Sequence, residues 1–260
     1  GILNMNGGIS FTSSSTFTMT GGSINIDPQH TNNFPAGTNI LEFNTTGSIN
    51  ATGGTITIVD PHSAANAGGN AVFVNNTVSY GYNFVGSTLV FGDGASNSNG
   101  SADGFDISGS TFNSLGNILI NNGTSTGTNR FVRLTTSTNV NGNISIQNGA
   151  TDEFRLNNLT LNLTGNLINN GIFNSTSANS LLAMEGLAQQ TISGTGIFTN
   201  GTAGRITGLA INNNSGATPS VDISVPITIS SNLSLTTGSL NVSSAGSIDL
   251  GIDATAFYSY

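Results

Sequence analysis

Cysteine, tryptophan and lysine are missing from the 260 residues, and charge of either sign is scarce. Without cysteine the chain has no disulfides, no thiolate metal centres and no thiol nucleophile. Tryptophan is absent and the only tyrosines are Tyr80, Tyr82, Tyr258 and Tyr260, so the flat aromatic platforms usual in sugar-binding clefts are in short supply. The four cations are Arg130, Arg133, Arg155 and Arg205, set against twelve acids, which leaves a net charge of -8 and a pI near 4.2. Such a surface repels phosphate backbones and anionic headgroups, which excludes nucleic acid as a partner. There is no apolar run of roughly 18 residues, so direct membrane insertion is not expected. Gly1 leads straight into patterned sequence with no charged and apolar leader, so an export signal is expected to lie outside these residues.

What is present is an all-β inventory. Charged residues make up 6% of the chain and hydrophobic ones 36%, and the balance is mostly Gly, Asn, Ser and Thr. Gly and Asn favour turns, whereas Thr, Val, Ile and Phe favour strands. Disordered chains of similar polarity lack regularly placed apolar residues. Here they alternate with polar ones at Ile24/Ile26, Ile56/Ile58, Ile144/Ile146, Leu159/Leu161/Leu163, Val221/Ile223/Val225, Ile227/Ile229, Leu233/Leu235, Leu240/Val242 and Ile248/Leu250. A period of two marks strands with one buried face. The fourteen Phe read as core filler.

The strands recur. Ile120-Asn121-Asn122-Gly123, Ile146-Gln147-Asn148-Gly149, Ile168-Asn169-Asn170-Gly171 and Ile211-Asn212-Asn213-Asn214 begin 26, 22 and 43 residues apart. Gly116-Asn117, Gly142-Asn143 and Gly165-Asn166 precede the first three, so each unit reads Gly-Asn, strand, Asn-rich bend. These features predict a right-handed parallel β-helix (β-solenoid) of about 22 residues per coil, with inward Ile, Leu, Val and Phe in columns. Asn and Gly tolerate the left-handed backbone of sharp bends, and aligned Asn amides hydrogen-bond along the stack. About twelve coils at about 4.8 Å each make a rod of roughly 55 Å. Asn121, Asn148, Asn169 and Asn212 are expected at equivalent bends. In the N-terminal half Gly7-Gly8-Ile9-Ser10, Gly21-Gly22-Ser23-Ile24 and Gly53-Gly54-Thr55-Ile56 are alike but 14 and 32 residues apart. Segments 28–39, 61–70 and 92–104 account for the unevenness as loop insertions. No linker divides residues 1–260, which read as a single solenoid segment. With apolar sequence at one end and the coil pattern running to Leu250 at the other, neither end shows a cap, and the segment is expected to belong to a longer chain.

Few residues offer chemistry. Ile26-Asp27-Pro28-Gln29-His30 and Val59-Asp60-Pro61-His62 put Asp-Pro and His at nearly matching points of two repeats. His/Asp pairs serve catalysis and metal binding, but Asp-Pro also ends strands, and recurrence in repeats favours the turn. Asp93, Asn97, Asn99, Asp103 and Asp106 offer oxygen ligands on a Gly-rich loop, which makes Asp93, Asp103 and Asp106 the calcium candidates. Their spacing matches no calcium motif, and a solvated loop is favoured. Asp152, Glu153 and Arg155 lie roughly a coil beyond Arg130 and Arg133, where Arg155 is expected to stack near one of those arginines with the acids balancing charge. Thr16/Thr18, Thr55/Thr57 and Thr135/Thr136 lack the coil-by-coil regularity of an ice-binding array. No catalytic residue and no cofactor is assigned.

Ile192-Ser193-Gly194-Thr195-Gly196-Ile197-Phe198-Thr199-Asn200, Leu209-Ala210-Ile211-Asn212-Asn213-Asn214-Ser215-Gly216, Val225-Pro226-Ile227-Thr228-Ile229 and Leu233-Ser234-Leu235-Thr236-Thr237-Gly238-Ser239-Leu240-Asn241-Val242 resemble a known repeat style. It is that of the solenoid regions of giant adhesin-like proteins on Bacteroidota cell surfaces, with the resemblance centred on residues 160–250. The resemblance implies export by the type 9 secretion system, an extracellular place on the cell surface, and a role in adhesion or gliding. Its implied partners are surface glycans, proteins of host or neighbouring cells, and the secretion machinery. The separate C-terminal sorting domain of such proteins has no counterpart after Leu250. The alternative is a carbohydrate-active β-helix enzyme, a polysaccharide lyase or glycoside hydrolase, which needs clustered acids, or an Arg/Lys base with calcium, on one face.

Overall fold

In the computed structural model, residues 1–31, 34–63, 68–75, 82–95, 104–110, 114–121, 123, 131–148, 151–251 and 255–258 are described. Among them there are 26 strands and no helix, hence no helix long and apolar enough to cross a membrane. The strands form three long sheets, of ten, eight and eight members, and every pair of strands in them is parallel. Neighbours in a sheet come from successive turns of the chain: Asn117–Ile120, Ile144–Ile146, Leu167–Asn169 and Gln190–Ser193 lie side by side in the first sheet. This is the parallel β-helix. The hydrophobic core fills the space between the three sheets as one continuous cluster from Met19 to Leu233.

The coil is longer and more variable than 22 residues. Register partners in the first sheet are as close as 19 residues, Ile223 to Val242, and as far apart as 33, Ile56 to Leu89. Ten strands in that sheet therefore stack into about 43 Å at about 4.8 Å per step, fewer coils and a shorter rod than the sequence spacing implies. The extra length lies in the N-terminal half, where no strand occurs in the described parts of 28–39, 61–70 and 92–104.

The Gly-Gly motifs divide into two kinds. Phe17–Ile26 and Ile49–Ile58 are ten-residue strands that turn a corner halfway, and their register shifts at that corner. Gly22 (φ 83) and Gly54 (φ 85) hold left-handed backbone there. A Cβ at Gly54 would sit 2.5 Å from the Met19 side chain and 2.8 Å from the Gly22 carbonyl. Gly7-Gly8, by contrast, leads Ile9–Ser13 into the second sheet against Leu41–Thr45, so it is not an equivalent of the other two.

The Gly-Asn unit works by close approach. Gly142 and Gly165 lie under the preceding coil, where a Cβ would come within 2.4 Å of Asn117 Oδ1 and 2.3 Å of the Gly142 carbonyl, respectively. The Asn residues beside them form a ladder: the backbone N–H of Asn143 donates to Asn117 Oδ1 (2.9 Å), that of Asn166 to Asn143 Oδ1 (2.7 Å), and that of Thr191 to Asn166 Oδ1 (2.7 Å). Other Asn pairs stack on outward columns, including Asn162 Nδ2 on Asn139 Oδ1 (2.8 Å) and Asn25 Nδ2 on Asn4 Oδ1 (2.8 Å).

Of the four bends expected to be equivalent, two are. Ile120 and Ile146 are register partners, and Asn148 Nδ2 reaches Asn121 Oδ1 at 3.4 Å in the coil below. Asn169 instead pairs with Ile146, one residue out of the expected frame. Since strand side chains alternate, that slip turns Asn169 inward and leaves Ile168 outward and exposed. Asn169 is matched inside, donating to the Ile197 carbonyl (3.0 Å) and accepting from the Gly171 N–H (3.1 Å). Asn212 belongs to Arg205–Asn212 of the third sheet, whose neighbour is Leu181–Met184, so its bend is a different corner. None of the four has the left-handed backbone expected of them.

Phenylalanine fills the core as expected. Along the second sheet Phe105, Val132, Phe154, Phe173 and Phe198 form one inward column. The Phe154–Phe173 and Phe173–Phe198 centroids are 6.1 and 5.8 Å apart, within the favourable range for aromatic pairs.

Candidate functional site

Two charged clusters and one buried amide knot hold most of the chain's polar chemistry. The first cluster sits at the corner that follows the first sheet. Ile26, Ile58 and Phe91 are register partners, so the segments after them leave from the same corner in three successive coils. The expected Asp-Pro pair lies here. Asp27 (φ 59) and His30 (φ 55) are both left-handed, and the His30 N–H donates to the Asp27 carbonyl at 3.0 Å, closing a turn. The buried Asp27 carboxylate accepts the Thr31 N–H (2.9 Å) and hydroxyl (2.6 Å). His30 then reaches across the coils, with Nδ1 3.1 Å from Asp60 Oδ2 and Nε2 3.2 Å from Asp93 Oδ2. His62 is buried apart from it, its Nε2 donating to the Thr38 carbonyl at 2.8 Å and its ring against Phe34. The turn reading of Asp-Pro and the pairing reading of His/Asp therefore both apply, at different residues.

The second cluster lies on the outward face of the second sheet. Asp106, Arg133, Arg155 and Asn174 form a column of register partners. Arg133 binds Asp106 through Nε (2.8 Å) and a terminal nitrogen (2.5 Å), a two-point ion pair. Arg155 donates to Glu153 at 2.7 Å, and Glu153 also accepts from Asn174 Nδ2 at 2.6 Å. The Arg155 guanidinium lies 3.6 Å from the Phe131 ring centroid, a cation–π contact, and its Nε faces that ring instead of an acceptor. The stacking of Arg155 beside an earlier arginine holds, with Arg133 as the partner and Glu153 as the balancing acid. Asp152 plays another part: it is fully buried and accepts the Asn148 N–H at 3.0 Å, which fastens the bend.

The calcium candidates do not converge. Asp93 faces His30 and Asp106 faces Arg133 on a different sheet, while Asp103, Asn97 and Asn99 lie outside the described residues, as do Arg130, Tyr80 and Tyr260. Among the described residues no group of three or more His, Asp or Glu is placed to hold a metal ion. Tyr82 is a core residue whose hydroxyl accepts the Thr45 N–H (2.9 Å) and donates to the Thr45 carbonyl. The Thr55/Thr57 pair is flanked by Ser23 and Asn25 on one side and Thr88 and Val90 on the other, so no Thr pair repeats between coils.

Sequence reasoning missed Gln190. Its side chain is fully buried at the corner entering the first sheet. Nε2 donates to the carbonyls of Leu163 (2.8 Å) and Gly165 (2.6 Å), and Oε1 accepts the Gly186 N–H (2.8 Å) and Asn213 Nδ2 (2.8 Å). One amide thereby ties three successive coils. The only signal for it is a long polar residue directly before the alternating Thr191-Ile192-Ser193.

No family model, curated protein or solved structure matches the chain.

Proposed function

We propose that this chain is an extracellular structural and adhesive module of a large bacterial surface protein, a length of solenoid that sets binding surfaces away from the cell. The observation that carries the reading is the make-up of the outward columns. Ser114, Asn139, Asn162, Ala183, Ala210 and Ser234 follow one another on the third sheet, and Ser23, Thr55, Thr88 and Asn117 on the first. Rows of amides and hydroxyls suit hydrogen bonding to glycans and to polar protein surfaces, and a stack of coils suits reach. Export by a type 9 system and a role in gliding or attachment are the more specific form of this proposal.

A polysaccharide-degrading solenoid needs two acids, or an acid and a base, turned towards one substrate position. Here Asp60 and Asp93 are turned to His30, Asp106 to Arg133, and Glu153 to Arg155 and Asn174. The two readings separate in one experiment: labelled protein is applied to a glycan panel and to intact source cells, and the same glycans are assayed for new reducing or unsaturated ends. The adhesive reading expects retention on a subset of glycans or cells with no chain cleavage. Cleavage of any panel polysaccharide would overturn it.

A further inference from the structure

His30 is the one side chain that joins the three N-terminal insertions at their shared corner, through Asp60 in the next coil and Asp93 in the one after. The ring has little freedom to turn away. The turn from Asp27 to His30 fixes its backbone, Thr31 locks the Asp27 carboxylate beneath it, and only 27% of the side chain is exposed. A carboxylate faces each ring nitrogen. Carboxylates accept and do not donate, so both contacts are hydrogen bonds only when the imidazole carries two N–H groups. A neutral ring turns a lone pair towards one of them. The other titratable groups at this corner are Asp27, held by Thr31, and His62, whose Nε2 donates to the Thr38 carbonyl.

We infer that His30 is a proton-operated clamp on this corner. Charged, it ties the turn at 27–31 to Asp60 and Asp93 and holds three coils in one arrangement. Uncharged, it keeps one carboxylate and repels the other, and the weaker tie is to Asp93, whose side chain is 34% exposed against 0% for Asp60. Imidazole changes charge between about pH 5 and pH 8, whereas ionised carboxylates persist through that range. Acidification therefore tightens the corner and alkalinity loosens it, whatever ligand the corner presents.

The test compares the full 260-residue chain with His30→Gln and Asp93→Asn at about pH 5.5 and about pH 8. Each variant is expected to melt about 2–4 °C below the wild type at the lower pH and within about 1 °C of it at the higher. Amide exchange at 28–31 and 93–95 should quicken with rising pH in the wild type and be uniformly fast in both variants. Because His62 is present in all three proteins, its own titration cancels in the difference. An equal gap at both pH values, or one that widens with pH, would overturn the clamp. If His30→Gln does not fold, Asp93→Asn carries the same comparison, since its site is half open to solvent.

Discussion

Replacing Gln190 by Met keeps the volume and removes the amide. Four hydrogen bonds go, but their partners fare differently. The Leu163 carbonyl still accepts the Glu185 N–H at 2.8 Å, and Asn213 Nδ2 still donates to the Ala188 carbonyl at 2.9 Å. The Gly165 carbonyl and the Gly186 N–H lose the side-chain partners that faced them. Each buried group left unmatched costs about 1–3 kcal/mol, so the variant should lose about 2–6 kcal/mol. Against a typical stability of about 5–15 kcal/mol this is a large fraction. Coils touch only their neighbours, so the loss falls on the junction of three coils and should appear as earlier unfolding of the C-terminal part. Urea unfolding followed by circular dichroism gives the magnitude, with Gln189→Met as the control. Gln189 is exposed and makes one bond, to the Pro219 carbonyl, and its replacement should cost under about 0.5 kcal/mol. Equal midpoints for the two variants would refute the reasoning.

Phe154→Ala, which opens the middle of the inward aromatic column, should destabilise by about 3–5 kcal/mol in the same assay. Gly142→Ala should push the Asn117 side chain off the ladder and lower the melting temperature, whereas Gly7→Ala, with nothing within 4 Å of the new Cβ, should leave it unchanged. Arg155→Lys keeps the charge but loses the flat contact with Phe131, and calorimetry should show a loss of about 0.5–1 kcal/mol.

The sequence reveals the architecture because period-two alternation and repeated Gly-Asn units are direct consequences of stacking. Its errors are errors of register. Ile168-Asn169 looks like Ile120-Asn121, and an apolar residue is the natural choice for the inward position. The structure reverses the pair because Asn169 finds both a donor and an acceptor inside, which no spacing rule reveals. The coil length was underestimated from the regular C-terminal half, since insertions at a corner leave the strand pattern intact while lengthening the repeat. The charged groups were legible in part. Arg155 and its arginine neighbour follow from spacing of about one coil, but Asp106 as the partner of Arg133 lies 27 residues away across a variable loop. His30 was read with the Asp residues of its own motif, whereas its partners are Asp60 and Asp93 in the following coils.

The central claim is the parallel, one-coil-per-step stack, and the absence of native cysteine makes it directly testable by disulfide trapping. Asn139, Asn162 and Ala183 occupy successive rungs of one outward column. Parallel neighbours at about 4.8 Å lie within the Cα separation of about 4.4–6.8 Å that a disulfide accepts, and residues two rungs apart lie beyond it. Under mild oxidation the pairs Asn139→Cys with Asn162→Cys and Asn162→Cys with Ala183→Cys should cross-link within one chain, and Asn139→Cys with Ala183→Cys should not. Cross-linking of the 139/183 pair together with failure of the two neighbouring pairs would contradict the stack.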